Sequence, residues 1–285
     1  MSDVERRPGA RRVGQVKEVT SLANPIIKDI KALTNKKDRE ETGTFLAEGL
    51  KLVIDAVELG WDIRTLVYAK AAKGKPLVEQ VAAKTVARGG LVLEVSEKVL
   101  SSVTRRDNPQ MVVGIFAQQW RELRDLSPQR NETFVALDRV RDPGNLGTII
   151  RTADAAGASG VILVGECTDP FSLETVRATM GSVFAMPLYR ASQEEFVSWS
   201  RKAGSQVVAT HLAGAVDYRT IDYKEKPTVL LMGNEQSGLP EALARTADRL
   251  ARIPQQGRAD SLNLAVATAV MLFEARRHLL ALEDR

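Results

Sequence analysis

FVALDRVRDPGNLGTIIRTADAAGASGVILVG, residues 134–165, decides how the second half of the chain folds. FVALD (134–138) is an apolar run of strand length. The loop RVRDPGNLG follows, with Pro143 and Gly144 read as a tight turn and Gly147 as a point of close backbone approach. A helix is expected from about Thr148 to Ala156, stopped by Gly157 and Gly160, and VILVG (161–165) is the next apolar strand. Strand, glycine-bearing loop, helix and strand make the unit from which parallel α/β sheets are built. The glycines do not fall in the spacing GxGxxG, so a dinucleotide-binding oxidoreductase loses its main support.

Downstream, residues 207–210 and 228–233 (TVLLMG) read as further strands. The chain closes in a long helix, about 261–282, whose centre LAVATAVMLF is apolar or small on every face and is expected to be buried. Upstream, FLAEG (45–49) reads as a strand, and residues 50–59 place Leu52, Val53, Ala56, Val57 and Leu59 at helical spacing before Gly60. Residues 63–68, 91–95 and 111–117 read as strands, giving a small α/β domain over 16–117. The polar stretch 118–131, interrupted by Pro128, reads as a linker to a second domain, 132–285. Residues 1–15, with Arg6, Arg7, Arg11 and Arg12 and no apolar stretch behind them, read as a disordered basic arm rather than a secretory signal.

A length of 285 residues suits one large or two modest domains. The net charge of +4 favours a polyanionic partner without proving one. Cys167 is the single cysteine, which excludes an internal disulfide. With His211 and His278 the only histidines, neither a zinc site nor a Ser-His-Asp hydrolase has a motif to stand on. No metal is expected. No apolar run is long enough to span a bilayer, and a cytoplasmic location is expected.

Three polar segments stand at junctions between elements. The first is Asp142-Pro-Gly-Asn-Leu-Gly147 followed by Arg151, with Asn145 in the loop and Arg151 about one turn into the helix. An ordinary strand–helix loop would explain it equally well. The second, Gly233-Asn-Glu-Gln-Ser-Gly-Leu239, follows the apolar strand TVLLM, where α/β proteins bind ligands, and makes Glu235 a candidate functional carboxylate. The third is Ile253-Pro-Gln-Gln-Gly257, then Ser261-Leu-Asn263. Asp260 or Ser261 is the expected helix cap. That leaves Asn263 as a buried asparagine needing partners, hence structural glue or a ligand contact.

Together these segments resemble the signatures of the SpoU/TrmH family of the SPOUT superfamily: N-x5-R, G-N-E-x-x-G-L and I-P-x-x-G…S-L-N, in that order, each at a strand or helix boundary. The likeness covers residues 132–285, and ATMGSVFAMPLYR (178–190) resembles a further internal pattern of the family. Residues 20–49 resemble the start of the family's accessory substrate-binding domain, a ribosomal-protein-like α/β module. Gln236 stands where the family more usually has glycine.

The resemblance implies an α/β fold: a C-terminal SPOUT domain with a parallel sheet and a deep trefoil knot, behind a smaller N-terminal substrate-binding domain. It implies a ribose 2′-O-methyltransferase that uses S-adenosylmethionine, acts on ribosomal RNA in preference to transfer RNA, and works as a homodimer through its C-terminal domain. Carried over, Leu231, Met232, Gly233, Asn234, Ile253 and Leu262 would bind cofactor. Arg151 would be catalytic, as base or as a cation stabilising the alkoxide. Asn145, Glu235, Ser261 and Asn263 would position Arg151, the ribose and the loops. Arg39, Arg105 and Arg106 are the chosen RNA contacts, with Lys36 and Lys37 beside them. The rival readings are a non-catalytic RNA-binding protein on the same fold and a base methyltransferase. The second would need a cysteine nucleophile when made at pyrimidine carbon, and Cys167 lies in no supporting motif.

Overall fold

The computed structural model describes residues 13–105, 110–211, 215–258 and 261–281. Arg106, Asp260 and the arginines of the basic arm lie outside the described residues. The chain divides into two compact units, Met1–Gln118 and Gln119–Arg285.

In the first unit the elements run β1 (Gln15–Val19), α1 (Pro25–Ala32), α2 (Lys36–Thr42), β2 (Thr44–Glu48), α3 (Leu50–Glu58), β3 (Ile63–Ala69), α4 (Pro76–Ala87), β4 (Leu91–Val95), α5 (Glu97–Thr104) and β5 (Val112–Ala117). The sheet order is β1-β4-β3-β5-β2, with β1, β4 and β3 parallel and β5 antiparallel to both β3 and β2. Gln15, expected in the arm, opens β1 and pairs with Leu91. The helix after FLAEG forms where Val53, Ala56 and Val57 make one buried stripe.

The second unit continues with β6 (Arg121–Glu122), β7 (Thr133–Asp138), α6 (Pro143–Ala155), β8 (Gly160–Val164), α7 (Leu173–Thr179), β9 (Leu188–Ala191), α8 (Gln193–Ser200), β10 (Gln206–Thr210), β11 (Val216–Asp217), β12 (Thr228–Met232), α9 (Glu241–Ala244), β13 (Arg249–Arg252) and α10 (Leu264–Arg276). Its sheet is parallel, in the order β11-β13-β10-β12-β7-β8-β9-β6. Every residue of β7, β8 and β12 is buried, as a strand covered on both faces must be. On one face, Phe134, Ala136, Ile162, Val229 and Leu231 pack with Phe196 of α8 and Leu243 of α9. Alternation turns the intervening residues to the other face, where α6 and α10 pack on the sheet and on each other.

Two expectations are corrected. The 118–131 stretch carries strand structure after all. β6 pairs with β9, Leu123 joins the buried cluster and Leu126 packs against it, and Trp199 Nε1 donates to the Leu126 carbonyl at 2.9 Å. Its polar residues hid this because an edge strand buries little. The C-terminal helix is shorter than expected and is not buried all round: Val266 is 50% and Phe273 46% exposed.

Candidate active site

The site is built where the strand order reverses. β7 leads outward through β8 and β9, then the chain returns to lay β12 and β10 on the other side of β7. The loops at the carboxyl ends of β7 and β12 stand there side by side, the position at which open α/β sheets take ligands.

α6 starts earlier than the glycine pattern suggested. Asp142 is its N-cap, its Oδ1 accepting from Asn145 N at 2.6 Å, and Pro143 fills the first turn, where a missing N–H costs nothing. Pro143, Gly144 and Asn145 are therefore helix rather than turn. Arg151 lies about two turns in, not one. Gly147 does permit close approach: a Cβ there would stand 2.4 Å from Ala178 Cβ and 2.7 Å from the Thr175 carbonyl oxygen, so α6 and α7 touch through it.

Asn263 is itself the N-cap of α10. Its Oδ1 accepts from Ala265 N at 2.9 Å and Val266 N at 3.3 Å. Ser261 is therefore not the cap, and Asn263 is exposed rather than buried. The helix N–H groups hold Oδ1 and so direct the amide outward. Asn263 Nδ2 donates to Asn145 Oδ1 at 2.9 Å, and Asn145 Nδ2 donates to Glu235 Oε1 at 3.2 Å. One chain of hydrogen bonds thus joins all three polar segments. The carboxylate accepts only, which fixes the direction of both amides.

The 233–238 loop is shaped by its own residues. A Cβ on Gly233 would lie 2.7 Å from Gly238 C and 2.8 Å from Leu239 N. Asn234 and Gly238 exchange backbone hydrogen bonds, and Asn234 Oδ1 accepts from Gln236 N, Ser237 N and Ser237 Oγ. Asn234, expected against cofactor, spends its polar groups on loop shape. Gln236 causes no strain, because the left-handed position falls on Gly238, with φ +64°. Leu231 and Met232 are buried in β12, so only their backbone can face a ligand. Leu262 is 37% exposed, Ile253 is half-buried, and Ser261 is exposed.

Two places beside the site were not singled out from the sequence: the end of β10 and the end of β7. β10 lies between β12 and β13, Thr210 pairs with Ala251, and His211 N donates to the Ala251 carbonyl at 3.0 Å. Thr210 and His211 therefore stand at the strand ends flanked by Gly233 and Ile253. A polar pair directly after the apolar VVA (207–209) was the available signal. The other is Arg139, at the end of β7, whose backbone is left-handed with φ 48°.

The RNA candidates fare unevenly. Arg39 is 3% exposed, with Nη1 donating to the Leu33 carbonyl at 2.8 Å, so its charge is turned into the fold instead of toward a phosphate. Arg105 caps α5 with φ 53° and donates to Thr34 Oγ1 at 2.7 Å. Among the described residues no cluster of His, Cys, Asp and Glu is grouped to hold a metal ion, and no helix is long and apolar enough to cross a membrane.

Residues 132–273 match the model of the SpoU rRNA methylase family, and residues 24–114 that of the MRM3-like substrate-binding domain. The 23S rRNA (guanosine(2553)-2′-O)-methyltransferase RlmP of Bacillus subtilis is 33% identical, with 92% of this chain aligned to the whole of that protein. The chain belongs to the SpoU rRNA methylase family. A second member, the 23S rRNA (uridine(2479)-2′-O)-methyltransferase of Streptomyces viridochromogenes, is 34% identical, covering 96% of this chain and 94% of that one. An AdoMet-bound rRNA methyltransferase from Sinorhizobium meliloti, known as a crystal structure, is 77% identical and superposes with a TM-score of 0.90 over 93% of this chain and 99% of that one. The three signatures are thus those of a SpoU methylase, and in this SpoU chain they meet in space.

Proposed function

We propose that this chain transfers a methyl group from S-adenosylmethionine to a ribose 2′-hydroxyl of structured RNA, with ribosomal RNA favoured over transfer RNA. The carrying observation is the Asn263–Asn145–Glu235 chain, which gathers three segments distant in sequence into one place. The ribosomal RNA specificity of the two curated relatives supports the choice of RNA class. Within this reading, residues 16–117 hold the substrate RNA, residues 132–285 carry the reaction, and the enzyme works in the cytoplasm. The trefoil knot also belongs to this reading, on the strength of family membership.

The site suits the cofactor. Gly233 lets its own loop close against Gly238 and Leu239 at the strand end, while Ile253 and the exposed Leu262 offer apolar surface of the kind an adenine takes. When bound, the cofactor supplies a sulfonium methyl of electrophilic character. The ribose oxygen attacks that carbon in line: an O–C bond forms, the S–C bond breaks, and the hydroxyl proton leaves to solvent or a nearby phosphate. Glu235 and Asn145 orient the ribose, and Ser261 and Asn263 hold the third loop against them. Arg151, normally cationic, stabilises the alkoxide as it forms.

Arg151 and Asn145 stand about 9 Å apart along α6 and about 120° apart around it, so they do not share a face. Arg151 instead lies with Thr148 and Ala155 on the exposed side of α6. The adjacent α10 exposes Val266 and Phe273, with Val270 between them at helical spacing. A homodimer through this surface would cover the apolar stripe and bring Arg151 of one subunit to the site of the other.

Arg151→Ala is expected to abolish methyl transfer to ribosomal RNA in a tritium-transfer assay while leaving S-adenosylmethionine affinity by calorimetry nearly intact. An active Arg151→Ala enzyme would refute the assigned role. A wild-type chain that binds RNA but transfers no methyl group would favour the non-catalytic reading.

A further inference from the structure

Arg139 combines three features that no family signature explains. Its backbone is left-handed, a conformation a long side chain adopts only where its surroundings impose it. Its guanidinium is held by a buried carboxylate: Nε and Nη2 donate to Asp138 Oδ2 at 2.9 and 2.8 Å, and Asp138 is 1% exposed. Asp138 is fixed in turn, its Oδ1 accepting from Gln193 Nε2 at 2.8 Å. The side-chain stem rests on Gly165, where a Cβ would stand 3.1 Å from Arg139 Cγ.

Both ends of this residue reach the loop that carries Glu235. The Arg139 carbonyl accepts from Asn234 Nδ2 at 2.8 Å, and Nη2 approaches Ser237 Oγ at 3.4 Å. Arg139 N meanwhile donates to the Val164 carbonyl at 2.9 Å, extending the β7–β8 ladder. The left-handed turn is what lets one residue donate to β8 on one side and present its carbonyl to the loop on the other. Asn234 is the knot of that loop, since its Oδ1 takes the N–H groups of Gln236 and Ser237.

We propose that Arg139 is a positioning residue of the methyl-transfer site: with Asp138 and Gln193 behind it, it sets the 233–238 loop so that Glu235 meets Asn145. This rests on the methyltransferase reading. It acts on the rate rather than on RNA affinity, because displacing a catalytic group by about 1 Å costs as much as 100-fold.

Three full-length variants test it. Arg139→Gly tolerates the left-handed backbone and keeps the carbonyl but loses the guanidinium. Arg139→Lys keeps a cation without the two-pronged grip on Asp138. Gln193→Ala removes the brace behind Asp138. Each would be measured for kcat and KM on ribosomal RNA, for S-adenosylmethionine affinity by calorimetry, and for hydrogen exchange of the loop amides. The expected result for Arg139→Gly is a kcat about 10- to 100-fold lower, an RNA KM within about twofold, and faster exchange confined to the loop. Lysine should rescue partly, and Gln193→Ala should shift kcat the same way by less.

A raised RNA KM with unchanged kcat would overturn the proposal and make Arg139 a phosphate contact. Wild-type kcat together with wild-type loop exchange in Arg139→Gly would also overturn it. If wild-type enzyme transfers no methyl group to RNA yet Arg139→Gly still loosens the loop, the methyltransferase reading has failed and the positioning of the loop stands.

Discussion

Cys167 lies against the carbonyls of Leu137 and Val164, with sulfur–oxygen distances of 3.5 and 3.4 Å. Burial pushes its thiol up to about 11, because a thiolate there would lose its hydration. The raised value means the neutral thiol persists through neutral and mildly alkaline pH. That argues against a covalent attack on a pyrimidine ring and for transfer directly to a hydroxyl. Iodoacetamide labelling at pH 8 should therefore be slow in the native protein and rise steeply in urea. Rapid native labelling that levels off near pH 7 would contradict the half-buried, neutral thiol. Arg139 teaches a related lesson at this scale: as letters it is one more basic residue in RVRD, and only its backbone angle marks it out.

α6 and α10 are tied by their first turns, and there Asn263 does two separable jobs. Oδ1 caps α10 and Nδ2 reaches Asn145. Asn263→Ala should lose both, costing about 1 kcal/mol for the cap, or roughly 2–4 °C in Tm for a domain of this size. Asn263→Asp keeps an oxygen for the cap but has no N–H to donate to Asn145. It should melt close to wild type yet lose most methyl transfer, as read by differential scanning calorimetry beside the tritium assay. Near wild-type methyl transfer in Asn263→Asp, with loss only in Asn263→Ala, would mean that the cap alone matters. Capping rules pointed to Asp260 or Ser261 because those types lie just before the apolar run. The helix instead starts at Leu264, where Asn263 serves equally well.

For the whole molecule, the exposed stripe of α10 carries the consequence. Phe273 is 46% exposed beside a helix that presents Arg151, and the proposed homodimer would cover it. Phe273→Glu should give monomers by light scattering, since an uncompensated charge in that contact costs about 3 kcal/mol or more of association. Methyl transfer should fall with the dimer while each monomer still binds S-adenosylmethionine. A Phe273→Glu protein that is still dimeric would place the interface elsewhere.

Much was settled by local chemistry. Apolar runs of strand length, glycines after helices and polar segments at strand ends depend only on neighbours in the chain, so the alternating α/β order and the candidates Asn145, Glu235 and Asn263 were legible from letters alone. What tertiary structure decided was everything set by contacts between distant residues. It turned Arg39 into the fold and drew the polar 118–131 stretch onto a sheet edge. It gave Arg139 its left-handed turn and closed the hydrogen bonds from Asn263 through Asn145 to Glu235. Those outcomes depend on burial and on partners brought together by the fold, 90 and 118 residues apart for the two bonds of Asn145, whose energies are set only when the sheet assembles.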